Sequence, residues 1–584
     1  MIKTKFKLWM CLVFTFTTVT KLYAQSSSLN KPLSVYINWA SYDELSDTVR
    51  LTESLAMKQL DELVRLKKEG LQLDYYLMDA FWFERNSGYR AWRKKDWPNG
   101  PEKWLKSCEA RGVKPGLWFS TNVLHAGGKY ILEPVNEWQS SLSKSGKSLC
   151  LFKGGYLPHL METLELCTQQ GFELFKFDFA DFYAITPELE GKMSMAEIKQ
   201  ANQKALINAL KTFRQKHPNV VFVAYNGFGG EMSNTGVPIS KKIDLEWLTV
   251  FDAMYCGDPR PADVPTKNFW RSKDIYSDHM VKYFRENGLQ LSQIDNSGFM
   301  IGKTGTCYFR GNAAWKGMAL LSMARGGWLN TYYGNLELLT SNDAKWFAKA
   351  QRLWYPLQQK NSVKLIGGTP GKSQPYGYLA DGDNGTVVCI VNPSQSTQYV
   401  DLPNIQGKAN RILFKDAGFI PKIQGSKILL GAEQLVLVGI GEYANAKFDL
   451  GVGDMVSIPR EVKQIPIQFT YQNNQLKGEF TPKQSSDLRF VFQQFDNSNI
   501  PFRSSGGSPP DGLTLANLLN IQIKQGSKSL PLKVEYDKAI WSGLSWAVAE
   551  LPKGVFQLEK PIEITFKSAE KIPLKLTGSV YLIK

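Results

Sequence analysis

The feature that most constrains this chain is a regular alternation of short apolar strands with amphipathic helices between Leu33 and about residue 357. SVYINWA opens the series, TESLAMKQLDELVRLKKEG follows as a helix that ends at Gly70, and LDYYLMDAFW is the next strand. Eight such units can be counted, and the helix after the fifth strand has the weakest pattern. Eight units in this length predict a (β/α)8 TIM barrel.

The chain after the barrel has a different composition, which predicts two further domains. Past Tyr355 the sequence consists of short alternating strands with Gly, Asn and Pro turns. This pattern is typical of an antiparallel β-sandwich, which we predict over 358–445. A third segment is again β-rich, so a C-terminal β-rich domain is predicted over 450–584. The catalytic barrel itself is predicted over 31–357.

The first residues of the chain have the composition of a targeting segment. Residues 1–24 combine a basic start with an apolar run and end at the small residue Ala24. These features predict a signal peptide that is cleaved after Ala24. We therefore expect an exported protein, periplasmic or extracellular, with no membrane span.

Composition excludes several classes of function. The formal net charge is +16, yet the sequence has no clustered run of Lys and Arg and no nucleic-acid motif, so no nucleic-acid partner is expected. Its four histidines show no metal-ligand spacing, which disfavours a zinc hydrolase or a histidine-based triad. We expect neither a metal nor a cofactor, and the oligomeric state stays open.

Polar residues stand at the ends of several predicted barrel strands, where the active site of this fold lies. In FELFKFDF, alternation places phenylalanines on one side of the fourth strand and Lys176 and Asp178 on the other. We expect these two charges to face the barrel axis and to partner each other and a substrate. The other strand-end polar residues and their aromatic neighbours are Asp79, Asn226, Asp252, Asp258, Asp295, Asn296, Trp82, Trp118, Tyr225 and Trp328.

Carboxylates among aromatic residues, without histidine or metal ligands, are the usual equipment of a glycosidase. Such enzymes use two carboxyl groups, one as nucleophile or base and one as proton donor. The sequence therefore predicts a carbohydrate substrate. Substrate contacts are predicted from Asp79, Trp82, Trp118, Lys176, Asn226, Asp252 and Asp295.

Four strand segments carry a family resemblance over roughly residues 33–445. YINWASYDEL, DYYLMDAFW, GVKPGLW and LFKFDFA resemble, in order and spacing, the strands of the retaining α-galactosidases of glycoside hydrolase families 27 and 36. The resemblance implies a barrel followed by a β-sandwich and a retaining glycoside hydrolase. It also implies that Asp178 is the nucleophile, that Lys176 contacts sugar hydroxyls and that Asp79 binds the sugar.

The proton donor of these families lies at the end of the sixth strand. The nearest match here is Asp258 in CGDPRPAD, and Asp252 is the alternative. A further departure is Ala80, where the families have a second sugar-binding aspartate. Loss of one charge-assisted hydrogen bond costs about 1.5–3 kcal/mol, so the substrate need not be plain α-galactose.

Three alternatives to an α-galactosidase remain open from the sequence. The first is a clan relative acting on N-acetylgalactosamine or L-arabinopyranose. The second is a catalytically inactive glycan-binding or adhesive protein on the same barrel, which would lack a second carboxylate facing Asp178. The third is a binder of acidic polymers, which the net charge alone suggests.

Overall fold

The structure is a computed structural model that describes the chain in segments. The described residues are 29–39, 51–80, 82–126, 129–228, 244–255, 281, 286, 288–296, 300–301, 315–370, 374–394, 396–453, 462–495, 497, 519–535, 546–568 and 573–583. The predicted signal peptide, residues 1–24, and the predicted proton donor Asp258 lie outside them.

Eight parallel strands close into a barrel, which confirms the predicted fold class. Each strand pairs with the next along the chain, and the eighth pairs with the first. The seventh strand makes two bridges, Met254 with Ile294 and Asp295 with Leu329, which complete the ring. Farther along the chain, Met300–Ile301 pairs in parallel with Tyr333 and Gly334 of the eighth strand. The strands are β1 (Leu33–Ile37), β2 (Tyr75–Met78), β3 (Lys114–Ser120), β4 (Leu174–Asp178), β5 (Val221–Ala224), β6 (Ala253–Met254), β7 (residues 294–295) and β8 (Leu329–Gly334).

Three of the described helices begin at a side chain that caps their free N–H groups. Thr52 caps the first helix, and Ser194 and Thr340 form capping boxes with Glu197 and Asp343. No helix in the described part of the chain is long and apolar enough to cross a membrane. The helices are α1 (Glu53–Lys68), α2 (Glu102–Ala110), α3 (Tyr156–Gln169), α4 (Met195–Lys216), α5 (Trp315–Ala324) and α6 (Ser341–Gln359).

Alternation along the strands separates an apolar layer from a polar interior. Phe177 on β4 contacts Phe222 on β5, and Phe222 contacts Phe213 on α4, so this side of the strands faces the helices. Lys176 and Asp178 have the opposite orientation and face the barrel axis, as predicted.

The second domain is a β-sandwich that shares its core with the barrel. A six-stranded sheet, in the order β9-β10-β11-β16-β13-β17, packs through one face against a three-stranded sheet, β12-β15-β14. The domain reaches Gly453, past the predicted end at residue 445, because its last strand pairs with β13. The strands are β9 (Lys364–Gly367), β10 (Tyr376–Asp381), β11 (Gly385–Asn392), β12 (Gln398–Asp401), β13 (Asn410–Asp416), β14 (Lys422–Gln424), β15 (Lys427–Leu430), β16 (Gln434–Gly441) and β17 (Gly451–Gly453).

The third domain consists of two antiparallel five-stranded sheets around a core of its own. The sheet orders are β18-β27-β21-β25-β24 and β19-β20-β26-β22-β23. Its strands are β18 (Val462–Ile465), β19 (Thr470–Gln472), β20 (Gln475–Phe480), β21 (Asp487–Phe495), β22 (Leu519–Gln525), β23 (Lys528–Ser529), β24 (Lys533–Glu535), β25 (Trp546–Leu551), β26 (Ile562–Ser568) and β27 (Lys575–Ile583).

Candidate active site

Asp178 ends β4 and is held by four N–H donors. Its Oδ1 accepts hydrogen bonds from Asn226 Nδ2 (2.8 Å), from Asn226 N (3.2 Å) and from Phe179 N (2.9 Å). Its Oδ2 accepts one, from Trp118 Nε1 (3.1 Å). All four partners can only donate, so the group accepts on both oxygens as a carboxylate does. The geometry fixes the plane of this carboxylate at the carboxyl end of the strand.

The chain after Asp178 folds in a way that aims these donors. Phe179 has a φ of +48°, an unusual value for a bulky residue, and it turns the Phe179 N–H back onto Asp178. Ala180 N then donates to Asn226 O (3.0 Å), which links the ends of β4 and β5. Gly227 follows with a φ of +101°, and a Cβ there would lie 2.4 Å from Ala180 O. Only glycine fits this close approach.

Lys176 lies one inward position below Asp178 and forms an ion pair across the barrel. Its Nζ lies 2.8 Å from Asp79 Oδ2 and 4.0 Å from the centre of the Tyr225 ring. Lys176 and Asp79 are both buried. The expected partner of Lys176 was Asp178; the structure shows Asp79 as its close carboxylate because the ends of β2 and β4 converge on the axis.

Asp79 follows β2 and is held through its main chain and its side chain. Its N–H donates to Asn38 Oδ1 (2.9 Å), and its Oδ1 accepts from Ala80 N (2.8 Å). Burial raises the pKa of Asp79, and the hydrogen bonds and positive charge of Lys176 act in the opposite direction. The structure thus places Asp79 beside Lys176, one inward position below Asp178 on β4.

Asp295 belongs to a buried cluster beside this group. Its Oδ2 accepts from Tyr225 OH (2.6 Å), and its Oδ1 accepts from Thr331 Oγ1 (2.6 Å). Tyr333 OH lies 2.7 Å from Tyr225 OH. Burial raises the pKa of Asp295 to about 6, although the two hydroxyl donors lower it. Asp295 has no exposed surface, so it lies beneath the site and is placed to act through Tyr225.

Thr331 and Tyr333 are members of this cluster that the sequence analysis did not identify. They stand two residues apart in LNTYYG on β8, so both side chains lie on the same face of the strand. This spacing was the available signal in the sequence. Alternation alone did not predict that β7, β8 and the residue after β5 bring these four side chains together.

The tryptophans at the site are wall residues rather than open platforms. Trp82 Nε1 donates to Trp118 O (2.9 Å), and both rings are buried. Trp118 reaches Asp178 through its indole N–H, whereas Trp82 packs between Phe83 and Trp92. Trp328 directly precedes β8 and so lies at the opposite end of the barrel, where its Nε1 donates to Gln358 O (2.9 Å).

Asp252 does not join this group. It precedes β6 and faces the helix layer, where its carboxylate lies 2.8 Å from Arg214 Nη2 on α4 and accepts from Phe222 N (2.8 Å). Phe222 is paired with Phe175, three residues before Asp178, so Asp252 lies lower in the barrel. The interpretation of Asp252 as a reserve proton donor or a substrate contact does not fit this ion pair, in which the Asp252 carboxylate is fully buried.

Comparisons with known proteins give a fold-level likeness. No family model matches the chain, and no curated protein matches it. A family 36 α-galactosidase from Geobacillus stearothermophilus has a TM-score of 0.49 at 12% identity, over 70% of this chain and 56% of that enzyme. An α-galactosidase from Lactobacillus brevis has a TM-score of 0.44 at 13% identity, over 71% and 56%.

α-Galactosidase I from Mortierella vinacea has a TM-score of 0.44 at 13% identity, over 72% of this chain and all of that enzyme. The chain thus spans little more than half of the Geobacillus and Lactobacillus enzymes. Likeness at this level bears on neither the reaction nor the substrate. All three of these solved structures are α-galactosidases.

Proposed function

We propose that this protein is an exported retaining glycoside hydrolase that removes a terminal α-linked, galactose-like sugar from an oligo- or polysaccharide. The observation that carries the proposal is the Asp178 carboxylate, fixed by four N–H donors at a barrel strand end beside the Lys176–Asp79 pair. A carboxylate fixed in this way suits attack on an anomeric carbon.

The proposed reaction is a double displacement. Asp178 attacks the anomeric carbon, the bond to the leaving oxygen breaks, and a carboxylic acid gives that oxygen its proton. The same acid, now a carboxylate, then takes a proton from water, and the water oxygen displaces Asp178 with net retention. We assign the acid to Asp258 on the sequence resemblance alone. Retaining enzymes hold their two carboxyl groups about 5–5.5 Å apart.

Oδ2 is the oxygen of Asp178 that suits attack. It accepts one hydrogen bond whereas Oδ1 accepts three, so Oδ2 keeps a lone pair for the new bond. Lys176 and Asp79 supply a cation and an acceptor for sugar hydroxyls next to it. Ala80 in place of a carboxylate leaves room for a sugar that differs from galactose at that side.

A panel of nitrophenyl α- and β-glycosides tests the proposal. We expect release of nitrophenol from one α-glycoside, and proton NMR should show the α-anomer of the sugar as first product. Asp178→Ala should abolish turnover, and added azide should restore nitrophenol release by forming the β-glycosyl azide. Asp181→Ala, a carboxylate in the same loop that bonds Tyr183 N, is the control and should keep its activity.

Two outcomes would contradict the proposal. Undiminished turnover by Asp178→Ala would remove its nucleophile. Binding of the glycosides without turnover would instead support the glycan-binding alternative. Export is tested separately, by sequencing the amino terminus of the protein recovered outside the cytoplasm, which should begin after Ala24.

A further inference from the structure

Tyr225 is contacted on both faces of its ring. Lys176 Nζ lies 4.0 Å from the ring centre, and the Tyr255 ring stacks on it at 4.4 Å with an angle of 12°. Two groups this close to one ring centre cannot share a face, so Lys176 and Tyr255 lie on opposite faces. The ring is thus a spacer between a stacked aromatic residue and the ammonium group of the site.

The hydroxyl of Tyr225 is anchored as firmly as its ring. It lies 2.6 Å from Asp295 Oδ2 and 2.7 Å from Tyr333 OH. Burial and the neighbouring Asp295 carboxylate raise the pKa of Tyr225 well above its ordinary value, so the hydroxyl keeps its proton and donates it to Asp295. Tyr333 must then donate to Tyr225, since a phenol has one proton to give.

These contacts limit where the Lys176 ammonium can go. A lysine side chain has a flexible four-carbon stem and no preferred direction for its three donors. Here Asp79 Oδ2 holds the ammonium at 2.8 Å from one side, and the Tyr225 ring face attracts it from another. Since Asp295 and Tyr333 fix the ring, they also fix this second contact.

We propose that Tyr225, anchored by Asp295 and Tyr333, is a positioning residue that sets the place of the Lys176 ammonium for substrate binding. The inference rests on the proposed glycosidase function. It gives Asp295 a role through Tyr225 in place of the direct substrate contact predicted from the sequence.

A double-mutant cycle tests the inference in catalysis. Tyr225→Leu removes both ring face and hydroxyl, and we expect kcat/KM for the best nitrophenyl glycoside to fall at least about tenfold. Tyr225→Phe keeps the face and should lose less. In a Lys176→Met background neither change should lower kcat/KM further, because the group they position is gone. An equal loss in both backgrounds would overturn the proposal.

Tyr332→Phe is the matched control, because it also removes a buried hydroxyl that bonds another tyrosine. Tyr332 OH lies 2.8 Å from Tyr355 OH, on the helix side of β8. This variant should keep the parent value of kcat/KM. A loss as large as that of Tyr225→Phe would assign the effect to packing and overturn the proposal.

A second readout separates this inference from the proposed function. In protein labelled with ¹³C at lysine Cε, the Lys176 signal, identified by its loss in Lys176→Met, should lie upfield because it is above an aromatic face. Tyr225→Leu should abolish that shift, and Tyr332→Phe should leave it. A Lys176 signal that Tyr225→Leu does not move overturns the inference whether or not the parent turns over a glycoside. A parent without turnover but with the expected signals overturns the proposed function alone.

Discussion

At the scale of single residues, the site depends on a backbone geometry that two residues without chemical function provide. Phe179 and Gly227 both have positive φ. Their backbone brings the loops after β4 and β5 into contact, and at this crossing of the two loops Asn226 donates to Asp178. A positive φ costs a non-glycine residue about 1–2 kcal/mol. The rest of the fold therefore has to offset a local backbone strain that fixes the direction of one carboxylate.

Gly227→Ala should disturb this crossing and the reaction together. The new Cβ would meet Ala180 O at 2.4 Å, so the two loops must separate. We expect a loss of about 3 kcal/mol or more in the free energy of unfolding, from backbone strain and overpacking. Displacement of Asn226 from Asp178 should lower kcat roughly 100-fold. Urea unfolding and steady-state kinetics measure the two effects.

Gly171→Ala is the control for backbone strain alone. Gly171 has a φ of +104°, close to the +101° of Gly227, and a Cβ there meets nothing within 4 Å. Gly171→Ala should lower the free energy of unfolding by about 1–2 kcal/mol with no change in kcat. Equal effects of the two substitutions on kcat would contradict the role given to the crossing.

Asp295 predicts a pH dependence of stability. Burial raises its pKa from 3.8 to about 6, so the folded protein holds this proton more tightly than the unfolded chain does. The contribution of Asp295 to stability is then most favourable below about pH 4, falls between about pH 4 and 6, and stays low above that. Between these two limits of pH, the contribution of Asp295 to the free energy of unfolding differs by about 3 kcal/mol.

Asp295→Asn should remove this dependence. The free energy of unfolding of the parent should fall, relative to the variant, by up to about 3 kcal/mol between pH 4 and pH 7. Asp181→Asn, at a half-buried carboxylate, serves as the control for general acid effects. Parallel stability curves for the parent and Asp295→Asn would show that Asp295 is not the titrating group.

At the scale of elements, strand ends were predictable and strand lengths were not. Alternation in FELFKFDF was sufficient to place Lys176 and Asp178 on the axis, since β4 is a regular strand. The apolar residues of LEWLTVFDAMY predict one strand, but Leu245–Thr249 is a 3₁₀ turn and β6 spans only Ala253–Met254. Asp252 therefore begins the strand instead of ending it.

The cluster of Asp295 with Tyr225 was not predictable for a related reason. Its members come from strands that are far apart in the chain, and around Asp295 the seventh strand is only two residues long. A strand this short has too few residues to show alternation, so the sequence could not place Asp295 beneath Tyr225 rather than in the open pocket.

Asp252→Asn tests the structural interpretation of this residue. The Asp252–Arg214 pair joins β6 to the end of α4, and both of its groups are buried or nearly so. Breaking such a pair leaves a buried charge without compensation and should cost about 3–5 kcal/mol of stability. We expect kcat at a temperature where the variant is folded to equal that of the parent.

Arg214→Met should give the same combination of lower stability and unchanged kcat, because it breaks the same pair from α4. If Asp252 were the proton donor, Asp252→Asn would lower kcat most for glycosides with poor leaving groups, and Arg214→Met would not.

At the scale of the whole molecule, the described residues form three buried apolar cores, a small one between the two sandwich sheets and two larger ones. Of the two larger cores, one extends from the barrel helices onto the face of the six-stranded sheet that faces the barrel, where Trp346 on α6 packs against Phe414 on β13. Trp346 Nε1 also donates to Leu450 O (2.8 Å) at the end of that domain. The other core belongs to the third domain and includes Phe492 and Phe566, whose rings stack at 4.4 Å.

This division predicts two transitions in a calorimetric scan. Phe414→Ala removes a fully buried ring that contacts Trp346 at 5.8 Å, so it should destabilise barrel and sandwich as one unit. The loss in free energy of unfolding should be about 3–5 kcal/mol, and thermal loss of the proposed glycosidase activity should shift with that transition. Phe492→Ala, an equal truncation in the third domain, should lower only the other transition and leave inactivation unchanged. Because the two substitutions remove the same volume from fully buried positions, a difference in their effect on inactivation shows on which core the candidate active site depends.

A different outcome would contradict the coupling. If Phe414→Ala lowered a sandwich transition while activity was still lost at the parent temperature, the shared core would not couple the two domains.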